Sequence, residues 1–405
     1  MPGGDHRRAH HPNGQQNRYD IAMSRSIEIL DRLIAFPTVS RDSNLDLIRH
    51  VEGELGRLGV ASRLIFNEEG SKANLFATIG PQDVPGIMLS GHTDVVSVEG
   101  QDWSSDPFRM ERRQGRLYGR GTADMKGFVA SVLAMAEDAV RAPLATPIHI
   151  ALSYDEEVGC VGVRRLIDML AGLGIRPRAC IIGEPTSMQV VVAHKGKTGL
   201  RAHCHGLECH SSLAPQGLNA IHMATDLIAA IRRLQADLAT NGARDEDYEV
   251  ACSTIHVGTI RGGTALNIVP NSCVLDFEIR HLPADPVEPL LDRITEESRA
   301  IEKAGHAVFP DAAIRLEALS AYPAMSIAPD AEIVGFVKAL TGGNSHGKIS
   351  FGTEGGLFQR DLGVPTVVCG PGSIGEAHKP DEFVSEEQLA ACDRFLAALL
   401  LQLRH

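Results

Sequence analysis

Aromatic residues are scarce: Phe, Tyr and Trp together make up 4% of the chain, with a single Trp. Positive charge is short too, with 39 Lys and Arg against 51 Asp and Glu, a net charge of −12. A nucleic-acid binder needs cations to neutralise phosphates and rings on which bases stack, so this balance excludes that class. No apolar run approaches the ~20 residues of a membrane-spanning helix, and membrane partners are set aside with it. The first twenty residues lack the apolar segment of a secretory signal. Their Pro, Gly, Asn, Gln and His content reads as a solvated, disordered extension, with Met23 standing just before the first periodic helix. None of the eight cysteines forms a Cys-x-x-Cys pair, and 405 residues can build a core without disulfide staples. Reduced thiols in a cytoplasmic protein are expected, most of them small buried hydrophobes.

What is present is ordinary globular material, 43% hydrophobic and 22% charged, in a length that suits two domains. Between Asp42 and Leu58 apolar residues fall at Leu45, Ile48, Val51, Leu55 and Leu58, a helical stripe that stops at Gly59. Short apolar runs follow at Ala73–Ile79, Ile87–Ser90, Ile148–Ser153 and Cys180–Ile182, with helical stretches near Gly127–Val140 and Val161–Leu170. Strands alternating with helices predict an α/β domain with a largely parallel sheet flanked by helices. After Val192 the texture changes. Leu200–His205, Cys252–Val257 and Cys273–Ile279 alternate like strands with one exposed face, and Ala220–Leu238 and Pro286–Lys303 read as helices. Beyond Ala312 the α/β character returns, with a strand at Val364–Cys369 and a closing helix at Glu386–Leu403. The expected division is an extension over 1–23, an α/β catalytic domain over 24–189 and 306–405, and an inserted α+β domain over 190–305.

The chemistry gathers at strand ends, where ligands collect in such sheets. His92 and Asp94 project to one side of the strand that ends in Gly91-His92-Thr93-Asp94, so the carboxylate can orient the imidazole. Asp124 sits just ahead of a helix, where an N-terminal carboxylate is common. Asp155-Glu156-Glu157 follows a buried strand, Glu184 ends the next, and His378 lies in a loop beyond Gly370-Pro371-Gly372. Taken singly, these read as a structural histidine, a helix-end carboxylate and a solvated acidic loop. Taken together, two histidines and several acids at successive strand ends point to one shared metal site. Clustered acids repel unless a cation or a proton joins them. A mixed His/carboxylate set suits Zn²⁺ or Co²⁺, and a carboxylate can bridge two ions about 3.5–4 Å apart.

With Tyr118-Gly119-Arg120-Gly121, Asp124-Met125-Lys126-Gly127 and Gly183-Glu184-Pro185-Thr186 added, the chain resembles the M20 family of metallopeptidases and deacylases from about Ser24 onward. The resemblance implies two divalent ions, Zn²⁺ foremost. His92, Asp124 and Glu184 would hold one, while Asp124 as bridge, Glu157 and His378 would hold the other. It implies that Asp94 supports His92, that Glu156 is the general base, and that the peptide bond between Asp124 and Met125 is cis. It further implies a homodimer in which His210, in His210-Ser211-Ser212, reaches the partner's active site to stabilise the oxyanion. Arg280 and Asn267 would bind a substrate carboxylate, a task suited to the planar fork of arginine. A structural salt bridge is the competing reading for Arg280. Cys204, His205 and Cys209 read as strand and turn positions, because their spacing fits no standard zinc finger. The implied activity is hydrolysis of an N-acyl amino acid, by a deacetylase first, with a desuccinylase as runner-up and a general aminoacylase or dipeptidase third. Against this stands a metal-binding homologue without turnover, which would have no need of a base beside the ligands.

Overall fold

The computed structural model describes residues 25–404, so the extension expected over 1–23 lies outside the described residues. The larger sheet runs in the order Ser62–Phe66, Ala73–Ile79, Ile148–Ser153, Ile87–His92, Ala179–Ile182, Thr366–Val368, Val190–His194, Met325–Ser326. His346–Ile349 pairs in parallel with Val190–His194. Ile148–Ser153, Ile87–His92, Ala179–Ile182 and Thr366–Val368 are consecutive parallel neighbours. Every residue of these four strands is buried, as expected where helices cover both faces.

The period of two sorts their side chains cleanly. Leu89, Ile148, Ile150, Ile181 and Val367 enter one core, while Met88, Ala151, Cys180, Ile182 and Val368 enter the core on the opposite face. The helix Lys126–Arg141 is buried along most of its length between the sheet and the closing helix Glu386–Gln402. Leu45–Arg57 buries Leu47, Ile48, Val51 and Leu55 on one face. The chain then turns at Gly59, whose φ of 76° favours glycine. Two short helices, Glu332–Thr341 and Gly355–Leu362, pack on the same body and were not anticipated.

The second sheet is wholly antiparallel, in the order Thr254–Gly262, Ser272–His281, Gly196–His205, Ala313–Tyr322. Leu200, Ala202, Cys204, Leu275, Phe277, Ile279 and Ile314 face the helices Ala220–Asn241 and Val287–Gly305. Its other face carries Arg201, paired with Asp276 at 2.6 Å, and His203, 2.9 Å from Glu317. The pairing crosses the sequence-based division at both ends. Val190–His194 belongs to the larger sheet, and Ala313–Tyr322, read from sequence as a return to α/β texture, is an edge strand of the smaller one. Lys195 and residues 323–324 are therefore the crossings between the two sheets.

All eight cysteines are free, and six are buried. Cys204 and His205 end a strand, and Cys209 lies in the turn before the short helix Ser211–Gln216. No helix among the described residues is long and apolar enough to cross a membrane.

Candidate metal centre

The four parallel strands deliver the site from their carboxyl ends. His92 is the last residue of Ile87–His92, Glu156 and Glu157 follow Ile148–Ser153, Glu184 follows Ala179–Ile182, and His378 lies beyond Thr366–Val368. Adjacent strand ends converge because parallel strands share a direction, so loops far apart in sequence open into one crevice.

Asp124 stands at the centre. Its Oδ1 lies 3.0 Å from His92 Nε2 and its Oδ2 lies 3.2 Å from His378 Nε2. The same His92 nitrogen is 3.6 Å from Glu184 Oε1, and that of His378 is 3.0 Å from Glu157 Oε2. The peptide bond between Asp124 and Met125 is cis. Ligand atoms of His92, Asp124 and Glu157 lie within 4.8 Å of one another, as do those of His92, Glu156 and Glu184.

The acidic triplet divides its work. Asp155, at a φ of 54°, turns away to accept from Lys72 Nζ at 2.6 Å and from the N–H of Arg41 at 2.8 Å. The Asp94 carboxylate accepts the N–H groups of Glu156 at 3.1 Å and Glu157 at 3.3 Å, and the Ser40 hydroxyl at 2.7 Å. Asp94 thus pins the loop that carries both glutamates. His92 is oriented differently from the sequence expectation: Nδ1 lies 2.9 Å from the main-chain oxygen of Asp94, against 3.6 Å to its carboxylate.

Protonation follows crowding. Burial pushes Glu184 and Glu156 well above the usual carboxylate range, and neighbouring acids add to it. Burial and Asp124 raise Glu157 to about 7. Burial alone would raise Asp124 and lower His92. Hydrogen bonds between Asp124 and the two imidazoles reverse both, holding the acid down and His92 up. His378, bonded to Asp124 and Glu157, is raised to about 10. Four carboxylates facing two imidazoles are short of positive charge even with both rings protonated, and divalent cations would supply it. The donor set therefore fits such ions.

Two further groups were missed from sequence. Glu354 is buried, raised to about 7 by that burial, and lies 3.4 Å from the Ser90 hydroxyl on the strand that carries His92. The Cys160 thiol donates to Glu156 Oε1 at 3.3 Å. An acid within the glycine-rich Gly352-Thr353-Glu354-Gly355-Gly356 is the signal that could have found the first; nothing local marks the second.

The remaining expected residues sit on the inserted domain. Arg280 donates to Glu278 at 3.0 Å and to the Tyr322 hydroxyl at 3.0 Å, so the salt bridge foreseen as the alternative is present. His210 is exposed, with Nδ1 2.8 Å from the Ser212 hydroxyl. The main-chain oxygen of Asn267 accepts from Ser211 at 2.9 Å. Among the described residues, none of these contacts joins the three to the cluster around Asp124.

The model of peptidase family M20/M25/M40 matches residues 88–402. The chain belongs to that family. It is 34% identical over 371 residues to an acetylornithine deacetylase of Shigella sonnei, covering 88% of this chain and 92% of that protein. It is also 34% identical over 386 residues to an acetylornithine deacetylase of Pasteurella multocida, covering 93% and 97%. An M20 metallo-carboxypeptidase of Sulfolobus solfataricus shares the fold, with a TM-score of 0.74 at 16% identity over 94% of this chain and 99% of that one. As a member of M20, this chain is a metal-dependent hydrolase acting on amides.

Proposed function

We propose that the protein is a dinuclear, zinc-dependent deacylase that removes the acetyl group from N2-acetyl-L-ornithine, giving L-ornithine and acetate. The observation that carries this reading is 34% identity to two acetylornithine deacetylases over nearly the whole of both chains. The His/carboxylate set around Asp124 supports it chemically. The reading places the protein in the cytoplasm, in arginine biosynthesis, as a homodimer.

His92, Asp124 and Glu184 would hold one ion, and Asp124, Glu157 and His378 the other. Such ions, when bound, polarise an amide carbonyl and acidify water. The side chains perform the rest. Glu156 stands beside the ligands without being needed as one, takes a proton from the attacking water and returns it to the leaving amine. The Asp94 main-chain oxygen holds His92 Nδ1–H, which leaves Nε2 free to coordinate. On the inserted domain, Arg280 and Asn267 would grip the substrate carboxylate and His210 would face the oxyanion.

Purified protein should hydrolyse N-acetylornithine in preference to N-succinyl-diaminopimelate, followed by release of acetate. Preference for the succinyl substrate would move the assignment to a desuccinylase, and turnover of neither to a dipeptidase or a binding protein. Chelation should abolish turnover, and Zn²⁺ or Co²⁺ should restore it. Full activity in metal-free protein would refute the dinuclear reading.

A further inference from the structure

Arg120 and Glu382 form an ion pair at 2.6 Å, with both side chains 1% exposed. Burying a charged pair is costly and seldom stabilises a fold by itself. Its placement is informative, because its further side-chain bonds run to the Asp124 segment, to the His378 loop, and to Gln101, which itself bonds His378.

Glu382 Oε1 accepts three main-chain N–H groups, from Gly121 at 3.0 Å, Ala123 at 2.9 Å and Asp124 at 3.1 Å. Its main-chain oxygen accepts the N–H of Gly119 at 2.9 Å. One residue thus fixes the segment that ends at Asp124. Arg120 secures the other loop. Its Nη1 donates to the main-chain oxygen of Lys379 at 3.4 Å, and its Nη2 to Gln101 Oε1 at 2.6 Å. Gln101 Nε2 in turn donates to the main-chain oxygen of His378 at 3.1 Å. Trp103 closes the unit, its ring 5.0 Å from the guanidinium and its N–H on Gln101 Oε1 at 3.0 Å.

His378 needs such support. Unlike His92, it is not part of a strand of the main sheet, and its side chain is 51% exposed. We infer that Arg120 and Glu382 are positioning residues that lock the Asp124 segment to the His378 loop, and so set the spacing of ligands for the ion at Asp124, Glu157 and His378. The inference rests on the two-ion reading above. Asp124 serves both ions, but the first also has His92 and Glu184 at strand ends of the main sheet, whereas the second depends on the pair for both Asp124 and His378.

The test uses the full chain stripped of metal, titrated with Zn²⁺ by calorimetry and with Co²⁺ by visible absorption, alongside thermal unfolding. The parent should take up two ions; fewer than two would overturn the two-ion reading and this inference with it. The double variant R120M/E382Q removes both charges at once and leaves no buried ion without a partner. It should melt near the parent, yet bind the second ion about 10–100-fold more weakly, with the first weakened less. Two ions bound as tightly as in the parent, or both weakened equally, would show that the pair only supports the fold. Should the double variant not fold, Gln101→Ala decides, because it cuts the link from Arg120 to His378 outside the buried pair. It should weaken the second ion selectively, and unchanged affinity would overturn the inference.

Discussion

Burial and three neighbouring acids, Glu157, Glu354 and Asp94, hold the Glu156 carboxyl well above the usual range, with His92 pulling the other way. A carboxyl so placed becomes an effective base once cations offset its neighbours, and it remains able to return the proton afterwards. Glu156→Ala should therefore keep near-normal metal content and lose about 10²–10⁴ in rate; loss of both ions would mean that Glu156 and Glu157 had exchanged roles. Glu354 was missed, whereas His92, Glu156, Glu157 and Glu184 were readable from sequence because each ends or closely follows a buried strand. The bonds that sort them were not. Ser90 and Glu354 are 264 positions apart and Arg120 and Glu382 are 262 apart, with no periodicity to connect either pair. His149 offers a prediction about pH. Burial beside Phe76 lowers it to about 4, while the unfolded chain titrates near 6.5. Between those values only the unfolded chain binds the proton, so stability is present above pH 6.5 and falls as the pH drops toward 4. The slope is about 1.4 kcal/mol per pH unit for one proton. His149→Gln keeps a partner for the Thr78 hydroxyl and should flatten the slope of urea-unfolding stability by roughly that amount.

Elements depend on close approach as much as on pattern. Gly183 links the strand Ala179–Ile182 to Glu184, and a Cβ there would collide with the ring of Phe128 on the helix Lys126–Arg141. Phe128 is 1% exposed and has no room to retreat. Gly183→Ala should lower stability by about 1–3 kcal/mol and weaken metal binding through a displaced Glu184. Gly53→Ala is the control: it lies in the helix Leu45–Arg57 with open space around it, so alanine should raise the melting temperature slightly. The elements that sequence revealed share one property, a strong period or an unbroken apolar run. Ala73–Ile79 and Ile148–Ser153 were placed to the residue, and the helix expected at Ala220–Leu238 runs on to Asn241. Glu332–Thr341 and Gly355–Leu362 escaped because helices of ten and eight residues make only about two or three turns and carry little periodic signal. Ala313–Tyr322 fell in the stretch read as a return to α/β texture, and no strand was expected there. Alternation announces a strand, but its partner is chosen by contacts more than a hundred residues away, here Gly196–His205.

At the scale of the whole molecule, the proposed chemistry is divided between two bodies. The body built on the larger sheet, with its helices and loops, carries every metal-ligand candidate, while His210, Asn267 and Arg280 belong to the body built on the smaller one. Thr254–Gly262 is an edge strand, and beside it Ile260, Leu266 and Ile268 are exposed, Leu266 completely. His210 bridges to Ile268, so the candidate oxyanion donor shares this apolar rim. An exposed strand edge flanked by apolar residues favours pairing with a second copy, and C₂ is the commonest closed solution. In such a dimer His210 would serve the partner's site, and a monomer would lack one electrophilic contact worth about 10²–10³ in rate. Two inactive variants, His210→Ala and Glu156→Ala, test this by subunit exchange. In a mixed dimer one site inherits both lesions, while the other combines an intact Glu156 with an intact His210 from its partner. Random exchange of equal amounts makes half the dimers mixed, each with one competent site, so about a quarter of parental activity should return. Exchange is verified by native mass spectrometry of differently tagged subunits. A fully exchanged mixture that stays inactive would place His210 outside the partner's site, and the parent running as a monomer would remove the route by which it could get there.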